Sequence, residues 1–162
     1  MALSYEVLKP EHSRDYRRLR LESLQAFPQF FTSNYAQQLA MEKLYFERLI
    51  EAQTERGTMV GAFDGAVLIG ICGLMLDTDV KPAAGEIIQM YVNTSHQGKG
   101  VGLQLIRTVL ELAKQRSDIS SVVLEVMVSN VAAIATYQKA GFVRDDSLPR
   151  KNASFYMSHE LK

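Results

Sequence analysis

Between a run ending in Met90-Tyr91-Val92 and an apolar-periodic stretch that starts at Val101, the chain reads Gln97-Gly98-Lys99-Gly100-Val101-Gly102. Glycines at alternate positions remove Cβ atoms where a chain must turn and where its backbone meets a ligand closely. N–H groups entering a helix lack internal partners, and the helix dipole puts partial positive charge there. A phosphate or diphosphate is the guest such a turn accepts, and Lys99 would add a full charge. A flexible glycine-rich loop ahead of a helix is the competing reading. The spacing is not Gly-x-Gly-x-x-Gly, and no acidic residue in the right strand context follows about twenty positions on, which disfavours a Rossmann dinucleotide site. Gly-x-x-x-x-Gly-Lys-Ser/Thr is absent as well, so the turn is not a Walker loop.

Other residues with chemical potential are sparse. His12, His96 and His159 are far apart and show no ligand spacing with Cys72, so no metal is expected. Cys72 lies in an apolar run and reads as a small core residue. Glu125 interrupts the apolar run from 122 to 128; it either faces a substrate, points to a sheet edge or pairs with a lysine. Arg14, Arg17, Arg18 and Arg20 read as a solvated face, with the weaker alternative that one of them reaches an acidic substrate. No Gly-x-Ser-x-Gly elbow supports a serine hydrolase.

The elements that must position these groups follow from periodicity. Residues 5–8 alternate weakly and predict a short first strand, stopped by Pro10. Residues 14–26 predict an amphipathic helix, and 35–52 a second helix. Asp64-Gly65 separates two apolar runs, 58–63 and 66–76, the signature of a hairpin closed by a type I′ turn. Residues 86–92 predict a fourth strand and 101–115 a long helix with apolar residues on one face. A central strand at 122–128, a short helix at 131–140 ended by Gly141, and closing strands at 142–144 and 154–160 complete the order β-α-α-β-β-β-α-β-α-β-β. Hairpins together with a strand–helix–strand crossover imply a mixed sheet with helices on both faces.

Composition narrows the function classes. The 162 residues are 47% hydrophobic and 22% charged, which fits one globular domain over residues 1–162 and rules out a disordered or fibrous chain. Eighteen basic and eighteen acidic side chains cancel, so a general attraction to nucleic acid or to anionic lipid is not expected. No segment reaches the roughly 20 apolar residues of a membrane span. Residues 1–6 lack the basic start and apolar run of a signal peptide, and a lone cysteine gives no internal disulfide, so a cytoplasmic protein is expected.

The pattern Gln-x-x-Gly-x-Gly, after a strand ending in Tyr-Val and opening a long helix, resembles the acetyl-CoA site of the GNAT superfamily of N-acetyltransferases. A second stretch, Asn130-Val131-Ala132-Ala133-Ile134-Ala135-Thr136-Tyr137-Gln138-Lys139-Ala140-Gly141-Phe142, is similar to the family's Asn-x-x-Ala-x-x-x-Tyr-x-x-x-Gly-Phe. Thr136 departs from the apolar residue usual before the tyrosine, which should weaken local packing. The resemblance covers nearly the whole chain in element order.

It implies an α/β (α+β) fold with a mixed, mostly antiparallel sheet of about seven strands and helices on both faces. It also implies transfer of the acetyl group of acetyl-CoA to a primary amine by direct attack. The fourth and fifth strands would splay to admit the pantetheine arm, bonded by the main chain of Met90, Tyr91 and Val92. N–H groups of Gln97, Gly98, Lys99, Gly100, Val101 and Gly102 would hold the diphosphate. A strand N–H near Tyr91 would polarise the thioester carbonyl, and Asn130 would bond the pantetheine. Tyr137, beside the sulfur, would be the acid and Glu86 the base. Residues 27–35 and 145–155 would line the acceptor pocket for a small-molecule or peptide amine. Members of that family often form homodimers, and this sequence carries no sign that decides it. Two rival classes are a CoA-binding regulatory module without catalysis and a partner-binding domain on the same fold.

Overall fold

The computed structural model describes residues 3–161. The elements are β1 (Leu3–Val7), α1 (Ser13–Ala26), α2 (Tyr35–Ala40), α3 (Tyr45–Ala52), β2 (Gly57–Asp64), β3 (Val67–Met75) and β4 (Ala84–Val92). They continue with α4 (Val101–Lys114), β5 (Ser121–Met127), α5 (Val131–Lys139), β6 (Val143–Arg144) and β7 (Ser154–Glu160). The strands form one seven-stranded sheet in the order β1-β2-β3-β4-β5-β7-β6. Every neighbouring pair is antiparallel except β4 and β5, which run parallel through the α4 crossover. The expected mixed, mostly antiparallel sheet is therefore present.

Period-2 alternation in the strands gives the sheet two apolar faces. One face packs on α4 and α5 through Leu105, Ile106, Val109, Ala133 and Tyr137, with Val60, Ile87, Val92 and Val122 from the strands. The other packs on α1 and α3 through Tyr16, Leu19, Phe46 and Ile50, with Met59, Leu68, Ile71 and Tyr91 from the strands. Helices thus cover both faces.

Two local expectations need correction. Residues 35–52 are two short helices, α2 and α3, with a break at 41–44. Leu44 is extended there, and its N–H donates to Glu47 Oε1 at 2.8 Å. Arg17 fastens the break from α1 by donating to the carbonyls of Leu39 and Met41 at 3.2 and 2.7 Å. Tertiary bonding and the burial of Leu44 and Phe46 therefore override one continuous period. The β2–β3 turn is also shifted by one residue: Asp64 pairs with Val67, so Gly65-Ala66 are the central residues. Only Gly65 has positive φ, +61°. That matches a type II′ turn, with glycine first, rather than type I′.

The feature that builds the site is a bulge in β4. Ile71 pairs with Tyr91, but Gly73 pairs with Ile88, so β4 carries one extra residue over that span. Gln89 sits inside it at φ +58°. The extra residue lets Ile88 face the α1 side while Met90 faces the α4 side, although the two are separated by two positions. Beyond the bulge β4 parts from β5: the two strands pair from Ala84–Ser121 to Ile87–Leu124 and no further.

Candidate active site

A cavity of about 720 Å³ occupies the opening between β4 and β5. It passes through the sheet. On the α4–α5 face its wall holds Gly98, Gly100, Val101, Gly102, Asn130 and Tyr137; on the α1 face it holds Arg20, Phe27, Phe31, Glu86, Tyr91 and Glu125. The volume is ordinary for a small-molecule site.

The glycine turn is shaped as its sequence implies at two of three positions. Gly98 and Gly100 have φ of +75° and +82°, and a Cβ on either would enter open space. Side chains are excluded there by backbone conformation, not by crowding. Gly102 is already inside α4, and a Cβ on it would lie 3.7 Å from Met90, an ordinary contact. Gln104 is the first α4 residue to donate back along the chain, to Gly100 O at 3.1 Å. The N–H groups of Val101, Gly102 and Leu103 therefore remain free at the positive end of the helix.

Gln97 braces the turn: its Nε2 donates to Val92 O at 2.8 Å, tying the loop to the end of β4. Lys99 is exposed and is not part of the cavity wall, so its charge would act on a ligand from outside the cavity.

The edge of β4 offers main-chain groups to the cavity. Asn93 donates its N–H to Ile69 O at 2.8 Å, and Tyr91 stands opposite Ile71. Antiparallel alternation then turns the peptide groups of Tyr91 toward β3, and those of Met90 and Val92 toward the gap. With Val92 O taken by Gln97, the Val92 N–H and both main-chain groups of Met90 are the open ones. The expected donor near Tyr91 is thus a neighbour. Tyr91 instead contributes a side chain on the opposite face, its hydroxyl donating to Glu22 Oε2 at 2.8 Å and its ring set against Phe27.

Tyr137 reaches the gap from α5 and is 7% exposed. Burial, with Cys72 nearby, pushes its phenol well above the usual range, so it stays protonated and can donate. Thr136, the motif's departure, satisfies its hydroxyl on Ala132 O at 3.1 Å and stands in the cavity wall, so it does not loosen the core. Asn130 caps α5, its Oδ1 accepting from Ala133 N–H at 3.3 Å. That leaves its amide NH₂ for a ligand. Cys72 is fully buried and its thiol is pushed up by burial, which suits a core residue.

On the other face, Glu86 stands opposite Val123 and Glu125 lies two residues on, so both carboxylates share one side of the sheet. Glu86 accepts from Thr78 Oγ1 at 2.7 Å. Glu125 accepts from Ser154 at 2.6 Å and pairs with Lys151 at 3.1 Å, which matches the reading of a lysine partner. Of residues 27–35, those from Phe27 and Phe30 to Ser33 line the cavity, while Tyr35 does not; none of residues 145–155 does. The last hairpin is therefore not a wall of this cavity.

Sequence reasoning missed the Gln89 bulge, which has no local signature. Arg20 was read mainly as solvated, but it is buried in the cavity wall. Among the described residues no cluster of His, Cys, Asp and Glu has metal-site geometry, and no helix is long and apolar enough to cross a membrane.

Comparison with known proteins adds to this geometry. The acetyltransferase (GNAT) family matches residues 15–142. Among curated relatives, an N-alpha-acetyltransferase RimI of Mycobacterium tuberculosis is 35% identical over 85 residues, 52% of this chain and 51% of that one. An aminoglycoside N(6′)-acetyltransferase type 1 of Klebsiella pneumoniae is 29% identical over 92 residues, 57% of this chain and 46% of that one. The chain spans about half the length of these curated relatives. Among solved structures, a GNAT-family acetyltransferase from Streptococcus pneumoniae superposes with a TM-score of 0.81 at 17% identity, over 99% of this chain and 100% of that one. A PaiA N-acetyltransferase from Thermoplasma acidophilum, in complex with coenzyme A, gives 0.78 at 20% identity over 99% of each chain.

Proposed function

The chain belongs to the GNAT family of acetyltransferases, and on that premise we propose that it moves the acetyl group of acetyl-CoA directly to the primary amine of a small-molecule or peptide acceptor. The observation that carries this is the gap that opens between β4 and β5 past Ile87, with a phenol on one face of the sheet and a carboxylate on the other. Acetyl-CoA supplies the activated acyl thioester. Residues 1–162 are read as one acetyltransferase domain, supported by a sheet that draws strands from both ends of the chain.

The main chain of this protein does the holding. Free N–H groups at the start of α4, with the left-handed turn before them, suit a diphosphate. Met90 and Val92 present the edge groups against which a pantetheine amide can pair as an added strand would. The Val92 N–H is the donor best placed to polarise a thioester carbonyl, and the Asn130 amide has a free donor for the arm.

The side chains handle two protons. An alkyl amine with a pKa near about 10.4 is almost wholly protonated at neutral pH and must lose a proton before it attacks. Glu86 is the assigned base, directly or through water, its carboxylate held in place by Thr78. The departing thiolate, whose parent thiol has a pKa near about 8.5, gains a proton from Tyr137, kept protonated by burial. Every group named comes from one chain. A cytoplasmic setting belongs to the same proposal, since CoA thioesters are found there.

Release of CoA thiol over a panel of amines, with thermal shift by acetyl-CoA alongside, tests the reading. Stabilisation together with amine-dependent thiol release is expected. Stabilisation without release by any amine would leave a CoA-binding module, and no stabilisation would leave a partner-binding domain.

A further inference from the structure

Arg20 is 5% exposed and forms part of the cavity wall on the α1 face. Its Nε and Nη1 are enclosed without any hydrogen-bond partner, and no ion pair among the described residues includes it. Phe31 lies with its ring centroid 5.1 Å from the guanidinium carbon. Arg17, one turn earlier on the same helix, is the contrast: it pairs with Glu47 at 2.7 Å and donates to two further carbonyls within 3.2 Å. A guanidinium cannot shed its charge in a protein, and a buried charge left unpaired is strongly unfavourable. Burial disfavours the charged form of Arg20. The fold holds this cation ready for an anion that the chain does not supply.

The same cavity offers Glu86 near the β4–β5 gap, while Phe27, Phe30 and Phe31 line the wall near α1. A cation, an apolar stretch and a carboxylate in one cavity complement a molecule that carries a carboxylate, an apolar body and an amine. We infer that Arg20 binds a carboxylate of the acceptor, so that the acetylated amine belongs to a small aminocarboxylate with an apolar body. This rests on the acetyl-transfer reading above. A guanidinium–carboxylate pair gives geometric specificity as well as attraction.

The test is a calorimetric titration with leucine and phenylalanine, their primary amides, and acidic N-terminal tripeptides, run with and without CoA. Wild type should bind the free acids about 10–100-fold more tightly than the amides. Arg20→Met should abolish that ratio, and Arg20→Lys should restore part of it. Arg20→Met should also melt higher than wild type without ligand, because it removes an unpaired buried cation; an arginine kept for structure would give a lower melting point. Equal binding of acid and amide by wild type, a ratio that survives in Arg20→Met, or tighter binding of the tripeptides than of the free acids would each overturn the inference. If the acids bind through Arg20 but no amine releases CoA thiol, the acetyl-transfer reading fails and the carboxylate site stands.

Discussion

The two faces of the sheet meet one gap with different materials. On the α4–α5 face the groups suited to hold the diphosphate and the pantetheine are mostly main chain: the open N–H groups of Val101 and Gly102 and the edge of β4 at Met90 and Val92, with the side chains of Asn130 and Tyr137 added. On the α1 face the groups are side chains, drawn from α1, the segment after it, β4 and β5. A main-chain site is fixed once a turn and a strand are fixed. A side-chain site depends on which distant residues converge, so it can be re-specified without touching the fold. The cofactor side is therefore expected to respond to changes in backbone conformation, and the acceptor side to changes in charge and shape.

The sharpest way to break this division is at Tyr137, which stands on the cofactor face yet acts by its side chain. Tyr137→Phe should lower kcat by about 10²–10⁴-fold while acetyl-CoA affinity, measured by calorimetry, stays close to wild type. An unchanged kcat at saturating substrates would remove the phenol from the proton path. Because burial raises its pKa, the donor stays protonated as pH climbs, so the wild-type rate should rise with amine deprotonation and show no descending limb below about pH 10.

Next in size is the scaffold of the acceptor face. Glu47 is 4% exposed and holds Arg17. Glu47→Ala leaves that cation and the Leu44 N–H without their partner and should cost about 3 kcal/mol in a denaturant titration. A loss below about 1 kcal/mol would mean that the break between α2 and α3 holds itself.

On the cofactor face, Gly100→Glu imposes a side chain at φ +82° and a negative charge beside the diphosphate. Left-handed strain alone costs about 1–2 kcal/mol, and with repulsion the CoA affinity should drop by about 100-fold. Wild-type affinity in that variant would refute the phosphate turn. The smallest effect is expected at Lys99, exposed and outside the cavity wall. Lys99→Ala should weaken CoA binding by about threefold at low salt, and the difference should vanish at high salt.

The same division explains what could be read from the sequence. Gly98 and Gly100 are legible because only glycine suits their backbone, and the strand and helix on either side have strong periods. Tyr137 and Glu86 came from the family resemblance, and both stand in the cavity wall. The Gln89 bulge left no trace, since a left-handed glutamine held by the Tyr16 hydroxyl at 2.5 Å is imposed from α1. Arg20 looked like one more charge in a basic helix; it is buried, with the ring of Phe31, from the segment after that helix, set against it. The break at 41–44 was hidden for the same reason, being made by Arg17 from another helix.

A crystal structure with bound CoA tests the central claim most directly. The diphosphate should accept hydrogen bonds from the main chain between Gly98 and Leu103, with the pantetheine running between β4 and β5 and its sulfur within reach of the Tyr137 hydroxyl. A CoA lodged elsewhere, leaving that turn and gap free, would contradict the account.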